Sequence, residues 1–134
     1  MVRNVRANID KLIKNFERHN IAIYPVNEAK EVFTLLEELI KDGTTVGCGD
    51  SVTLEQIGVF NYLREKNITF LDKYKTELTS SDKRAIYLKN FTADTFITGS
   101  NAITEDGKIF NIDGNGSRVA PMIYGPEQVI SSIY

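Results

Sequence analysis

The chain has 134 residues, 42% of them hydrophobic and 25% charged, which suits one globular domain built around a single core. A formal net charge of −2 and the absence of any basic run longer than two exclude the basic face of a nucleic-acid binder and a polybasic membrane anchor. No apolar run approaches the roughly 20 residues that span a bilayer, and the charged N-terminal stretch carries no signal-peptide apolar block.

The single cysteine, Cys48, can form no internal disulfide and cannot by itself hold a metal ion or an iron–sulfur cluster. A cytoplasmic protein with no cofactor and no metal is therefore expected, with no nucleic acid and no membrane among its partners. Its oligomeric state stays open, a homo-oligomer included.

Val5, Ile9, Leu12, Ile13 and Phe16 recur at helical spacing and predict a first amphipathic helix ending near His19 and Asn20. Residues 21–26 (IAIYPV) predict a short strand. Asn27 is the expected cap of a second helix whose stripe is Val32, Leu35, Leu36, Leu39 and Ile40, stopped by Asp42-Gly43. A strand over 44–46 runs into Gly47-Cys48-Gly49-Asp50-Ser51. Thr53 through Gln56 has the spacing of a capping box, so a third helix is expected to run through Leu63 and stop by Asn67.

Residues 68–71 predict a strand and 72–80 a polar loop, after which Ser80 or Ser81 caps a fourth helix through Phe91. Residues 95–98 form the next strand, entering Gly99. The runs 101–104 and 108–112 flank Glu105-Asp106-Gly107, a hairpin signal with its glycine at the turn. A short helix within 116–122 and a last strand over 128–134 complete the chain. Alternating strands and helices predict an α/β domain spanning 1–134, a three-layer α/β/α sandwich with a mostly parallel sheet and a late antiparallel hairpin.

Three segments carry the candidate chemistry. Gly47, Gly49, Ser51 and Thr53 lie between a strand and a helix start, where free N–H groups favour an anion; the same residues also suit a plain βα turn capped by Thr53. A dinucleotide fingerprint is incomplete there, because Val52 stands where the third glycine belongs. Thr98, Gly99 and Asn101 would line a facing loop. Within Asp113-Gly114-Asn115-Gly116-Ser117-Arg118, Asp113 is the candidate general base, or else an Asx-turn residue paired with Arg118. Arg118, with Gly114 and Gly116 beside it, is expected to hold a ligand anion in a two-pronged pair, at little consequence for the fold. Cys48 beside glycines has either a depressed pKa or no role beyond filling a tight turn.

The stretches VGCGDSVTLEQIG, TGSNAITEDGKIFNIDGNGSRVA and IYGPEQVI, with FLDKYK between them, resemble the lactate-utilisation (LUD) domain family over nearly the whole chain. Ser117, where that family usually has asparagine, and Cys48-Gly49-Asp50 are departures. The resemblance implies a fold similar to ribose-5-phosphate isomerase and the CoA-transferases. It also implies a place in lactate oxidation beside iron–sulfur redox subunits, and a glycine turn that binds a small anionic metabolite. Longer members continue past the last strand, so the chain is expected to lack a C-terminal segment that they have. A non-catalytic docking or metabolite-sensing module is the alternative function.

Overall fold

The computed structural model of the protein describes residues 8–133, so Val5 of the predicted first helix and Tyr134 of the last strand lie outside the described residues. Four parallel strands form the main sheet: β1 (Thr45–Cys48), β2 (Thr69–Leu71), β3 (Thr95–Gly99) and β6 (Gln128–Ser132), in spatial order β2-β1-β3-β6. Val46 stands opposite both Phe70 and Thr95, and Ile97 opposite Ile130. The central strand β3 is buried from Thr95 through Thr98, as expected of a parallel strand covered on both faces.

The chain leaves β1 toward one edge of the sheet and returns from β2 toward the other. With right-handed crossovers, the intervening helices fall on opposite faces. On one face Val46, Cys48 and Ile97 pack with Leu36 and Ile40 and with Leu54, Val59, Phe60 and Leu63. These come from α2 (Ala29–Leu39) with its terminal residue Ile40, α3 (Val52–Gln56) and α4 (Val59–Glu65). On the other face Gly47 and Phe96 lie under Asn90, in the short 3₁₀ turn that follows α5 (Ser80–Lys89). Truncating a side chain as buried as Leu63 costs about 2–5 kcal/mol.

The remaining elements are α1 (Ile9–Glu17), the antiparallel pair β4 (Ala102–Ile103) and β5 (Ile109–Phe110), and α6 (Val119–Ile123). The hairpin turn is buttressed by α1 and the residues after it: Asn15 Nδ2 donates to Glu105 O (2.8 Å) and His19 Nδ1 to Gly107 O (2.8 Å). No helix among the described residues is long and apolar enough to cross a membrane.

Four local expectations are corrected. Residues 21–26 form no strand; Pro25 has no N–H to donate, Tyr24 and Val26 are exposed, and among the described residues the sheet has four strands where five were expected. The helix expected to run through Leu63 splits, because Gly58 takes the left-handed conformation (φ +86°) and starts α4 afresh. Its first half is capped by Ser51, whose Oγ accepts from Leu54 N–H (3.1 Å), and not by Thr53. Glu28 and Thr79, in place of Asn27 and Ser80 or Ser81, stand at the starts of α2 and α5; Thr79 forms a reciprocal capping box with Asp82.

Candidate functional site

The three glycine-rich segments meet at the carboxyl ends of β1 and β3. Connections leave these two adjacent strands for opposite faces, the position where open parallel sheets hold ligands. A Cβ placed on Gly49 would come within 2.7 Å of Arg118 Cγ, and one on Gly99 within 2.9 Å of Ser51 Oγ. Neither position tolerates a side chain, and this close approach closes the junction. Ser51 Oγ also lies 3.3 Å from Ser132 Oγ, and Ser100 Oγ 2.6 Å from Ser131 Oγ, so hydroxyls rim the ends of β3 and β6.

Arg118 is buried at the centre of the junction, and every Nη hydrogen has a protein acceptor. Nη1 donates to Gly99 O (2.6 Å) and Asn111 Oδ1 (2.8 Å); Nη2 donates to Asn101 Oδ1 (3.0 Å) and Ile112 O (2.8 Å). All four acceptors are neutral, and among the described residues no carboxylate pairs with the guanidinium. Asp113 instead accepts the backbone N–H groups of Arg118 and Val119 on Oδ2 (3.0 Å each), fastening the start of α6. The side-chain ion pair considered for these two residues is therefore a side-chain-to-backbone bond. Arg118 ties the hairpin, the glycine loop and β3 together, and among the described residues its positive charge has no counter-ion in contact.

Beside this hub the ends of β1 and β2 bring together charged groups 23 positions apart in sequence. Lys73 Nζ, on a residue whose side chain is 8% exposed, lies 2.7 Å from Asp50 Oδ1, and Tyr74 Oη donates to the same oxygen at 2.7 Å. Asp50 itself is 75% exposed. Burial would raise its pKa, but the bonds from Lys73 and Tyr74, with the Lys73 and Arg118 charges, outweigh that and hold it below the usual carboxylate range. Burial, and then the Asp50 carboxylate, push the Tyr74 phenol well up. Lys73 Nζ also stands over the rings of Tyr74 (5.2 Å) and Tyr87 (5.8 Å).

Behind this pair, Asp72 is bound by Arg64 Nε (2.7 Å) and by the Tyr74 N–H (2.9 Å). Burial again opposes and the hydrogen bonds again prevail, so its pKa is lowered. Cys48 is buried within β1, and burial pushes its thiol up to about 12, the opposite of the depressed pKa its glycine neighbours suggested.

Of the sequence-predicted residues, Gly49, Ser51, Thr98, Gly99, Asn101, Asp113 and Arg118 gather at this junction. Gly47 does not lie in the turn: it sits within β1, where an added Cβ would fall 2.9 Å from Asn90 Cγ. Thr53 is the second residue of α3, and Gly114 and Gly116 face open space. Sequence reasoning passed over Asp50, Lys73, Tyr74 and Asn111. The available signal was position: Asp50 and Lys73 each fall just past a strand, on neighbouring strands of a parallel sheet.

The class defined by this geometry is an α/β domain with a parallel four-strand sheet, helices on both faces, and a polar junction at the strand ends. The LUD domain model matches residues 9–133, and the chain belongs to that family, which relates it to lactate utilisation. No curated protein and no solved structure matches it.

Proposed function

We propose that the protein binds a small anionic metabolite at the carboxyl ends of β1, β2 and β3, in lactate utilisation or related carbon metabolism. A 2-hydroxy acid, a 2-keto acid or a phosphorylated compound fits. The reading is carried by one observation: Lys73 Nζ and Tyr74 Oη converge on a single carboxylate oxygen, each at 2.7 Å. Two donors aimed at one point make a seat for an anion oxygen, and charge-assisted bonds of this length are strong.

The present occupant is the chain's own Asp50, whose side chain is mostly exposed. A ligand carboxylate or phosphate takes its place under the field of Lys73 and the uncompensated Arg118. The hydroxyls of Ser51, Ser100, Ser131 and Ser132 supply neighbouring donors. In this reading Arg118 and Asp113 frame the site, since both Arg118 Nη groups and Asp113 Oδ2 are engaged by the protein.

A thermal-shift screen of lactate, pyruvate, ribose 5-phosphate and acetyl-CoA tests the proposal. A ligand at a hundred times its Kd stabilises by about 2.7 kcal/mol, a rise of several degrees for a domain of this size. No rise with any of them at millimolar concentration removes the reading.

A second reading, a module docking onto an iron–sulfur redox partner, is favoured by apolar exposure late in the chain. Ile123 is 78% and Tyr124 82% exposed, with Phe110 and Ile112 also open to solvent. Co-purification with such a subunit, lost on Ile123→Ser/Tyr124→Ser, is the corresponding test.

A further inference from the structure

None of the ten residues of α5 is fully buried, and Leu88 is half-exposed, so this helix rests lightly on its face of the sheet. Between α5 with its 3₁₀ extension and the loop leading into α6 lies a groove of about 350 Å³. Arg84, Tyr87 and Phe91 line one wall, and Asn115, Gly116 and Ser117 line the other. The volume falls in the range of small-molecule sites and far exceeds one phosphate group.

Tyr87 and Phe91 are four positions apart, and Arg84 is three before Tyr87, so all three share one side of the helix. Among the described residues no acidic side chain lines the groove and Arg84 has no carboxylate partner. Lys73 Nζ, paired with Asp50, stands over the Tyr87 ring at 5.8 Å. Gly116 leaves its main chain open to an occupant, since nothing lies within 4 Å of where a Cβ would be.

We propose that this groove binds a planar aromatic ring that carries an anionic group, a ligand of nucleotide type. The ring lies against Tyr87 and Phe91, the anion pairs with Arg84, and Asn115 and Ser117 meet polar edges of the ligand. Stacking on aromatic side chains accepts any flat ring, while a guanidinium selects the anion. The inference stands apart from the small-anion seat, because Asp50, Lys73 and Tyr74 are not in the groove wall.

Calorimetry on the whole chain carrying Lys73→Met, which removes the small-anion seat, decides it, with ADP, adenosine and ribose 5-phosphate as three probes. ADP is expected to bind, and adenosine and ribose 5-phosphate each at least tenfold more weakly, since one lacks the anion and the other the ring. Arg84→Gln, at an exposed position that leaves folding intact, should weaken ADP at least tenfold and leave adenosine unchanged. Tyr87→Leu should weaken ADP and adenosine alike, and a melting curve shows whether that variant is folded. Absence of ADP binding, equal affinity for ADP and ribose 5-phosphate, an Arg84→Gln protein that binds ADP as before, or a folded Tyr87→Leu protein that binds ADP as before each overturns the proposal.

Discussion

Arg118→Lys separates a framework arginine from a ligand-binding one. The guanidinium makes four hydrogen bonds, two of them to the main-chain carbonyls of Gly99 and Ile112, from a buried position. An ammonium group has three donors on one atom and cannot span acceptors arranged around a planar fork. Three donors leave at least one of the four acceptors without a partner, and without the planar fork about two lose theirs. Bonds to a charged group contribute about 1.5–3 kcal/mol each, and part of that returns as the exposed Asn101 is rehydrated, which leaves a loss of roughly 2–4 kcal/mol.

Urea denaturation followed by circular dichroism measures this loss directly. It is a large share of the ~5–15 kcal/mol that holds a typical domain folded. A variant within about 0.5 kcal/mol of wild type that had nevertheless lost its ligand would refute the reasoning. It would return Arg118 to the ligand-holding role that its residue type suggested.

Gly47→Ala should cost about 1–3 kcal/mol, the scale of overpacking, because its Cβ would fall 2.9 Å from Asn90 Cγ. In an Asn90→Ala background the penalty should shrink by more than half, and an unchanged penalty by chemical denaturation would refute the packing account. Both side-chain polar atoms of Asn90 are buried without a partner among the described residues, so Asn90→Ala alone should cost less than its volume implies. For Asp72 the folded pKa lies below the unfolded value of about 3.9. Its contribution is therefore present above that pH and lost as pH falls through the folded value. Asp72→Asn should lower the Tm at pH 7 and flatten the decline below pH 4, and parallel curves for the two proteins would contradict this. Cys48, buried and with its thiol pushed up to about 12, should react with iodoacetamide at pH 8 only after unfolding in urea. Alkylation of the native protein at the rate of a free thiol would overturn that.

Strand and helix order was legible because β1, β2 and β3 are short, largely apolar runs followed by glycine, aspartate or serine, and because α2 carries a clear stripe. Residues 21–26 have the same apolar look, yet they find no ladder, and pairing is a tertiary fact that composition does not carry. The break at Gly58 was in principle readable, since glycine inside a helical pattern is costly, but the continuing periodicity through Leu63 masked it.

At the site, the convergence of the glycine turns followed from the rule for parallel sheets. The use made of each side chain did not. Arg118 looked free until four neighbouring acceptors were brought to it, three of them from residues between 99 and 111 folded back over the hub. The Asp50–Lys73 pair depends on β1 and β2 lying side by side, which no local pattern encodes.

Calorimetric titration of the best acid from the screen into wild type, Lys73→Met and Asp50→Ala tests the central claim most directly. If Asp50 occupies a seat that the ligand takes, Asp50→Ala should bind more tightly than wild type, by about tenfold for one relieved charge contact. Lys73→Met should bind at least tenfold more weakly. Binding abolished by Asp50→Ala, or undiminished by Lys73→Met, would contradict the account.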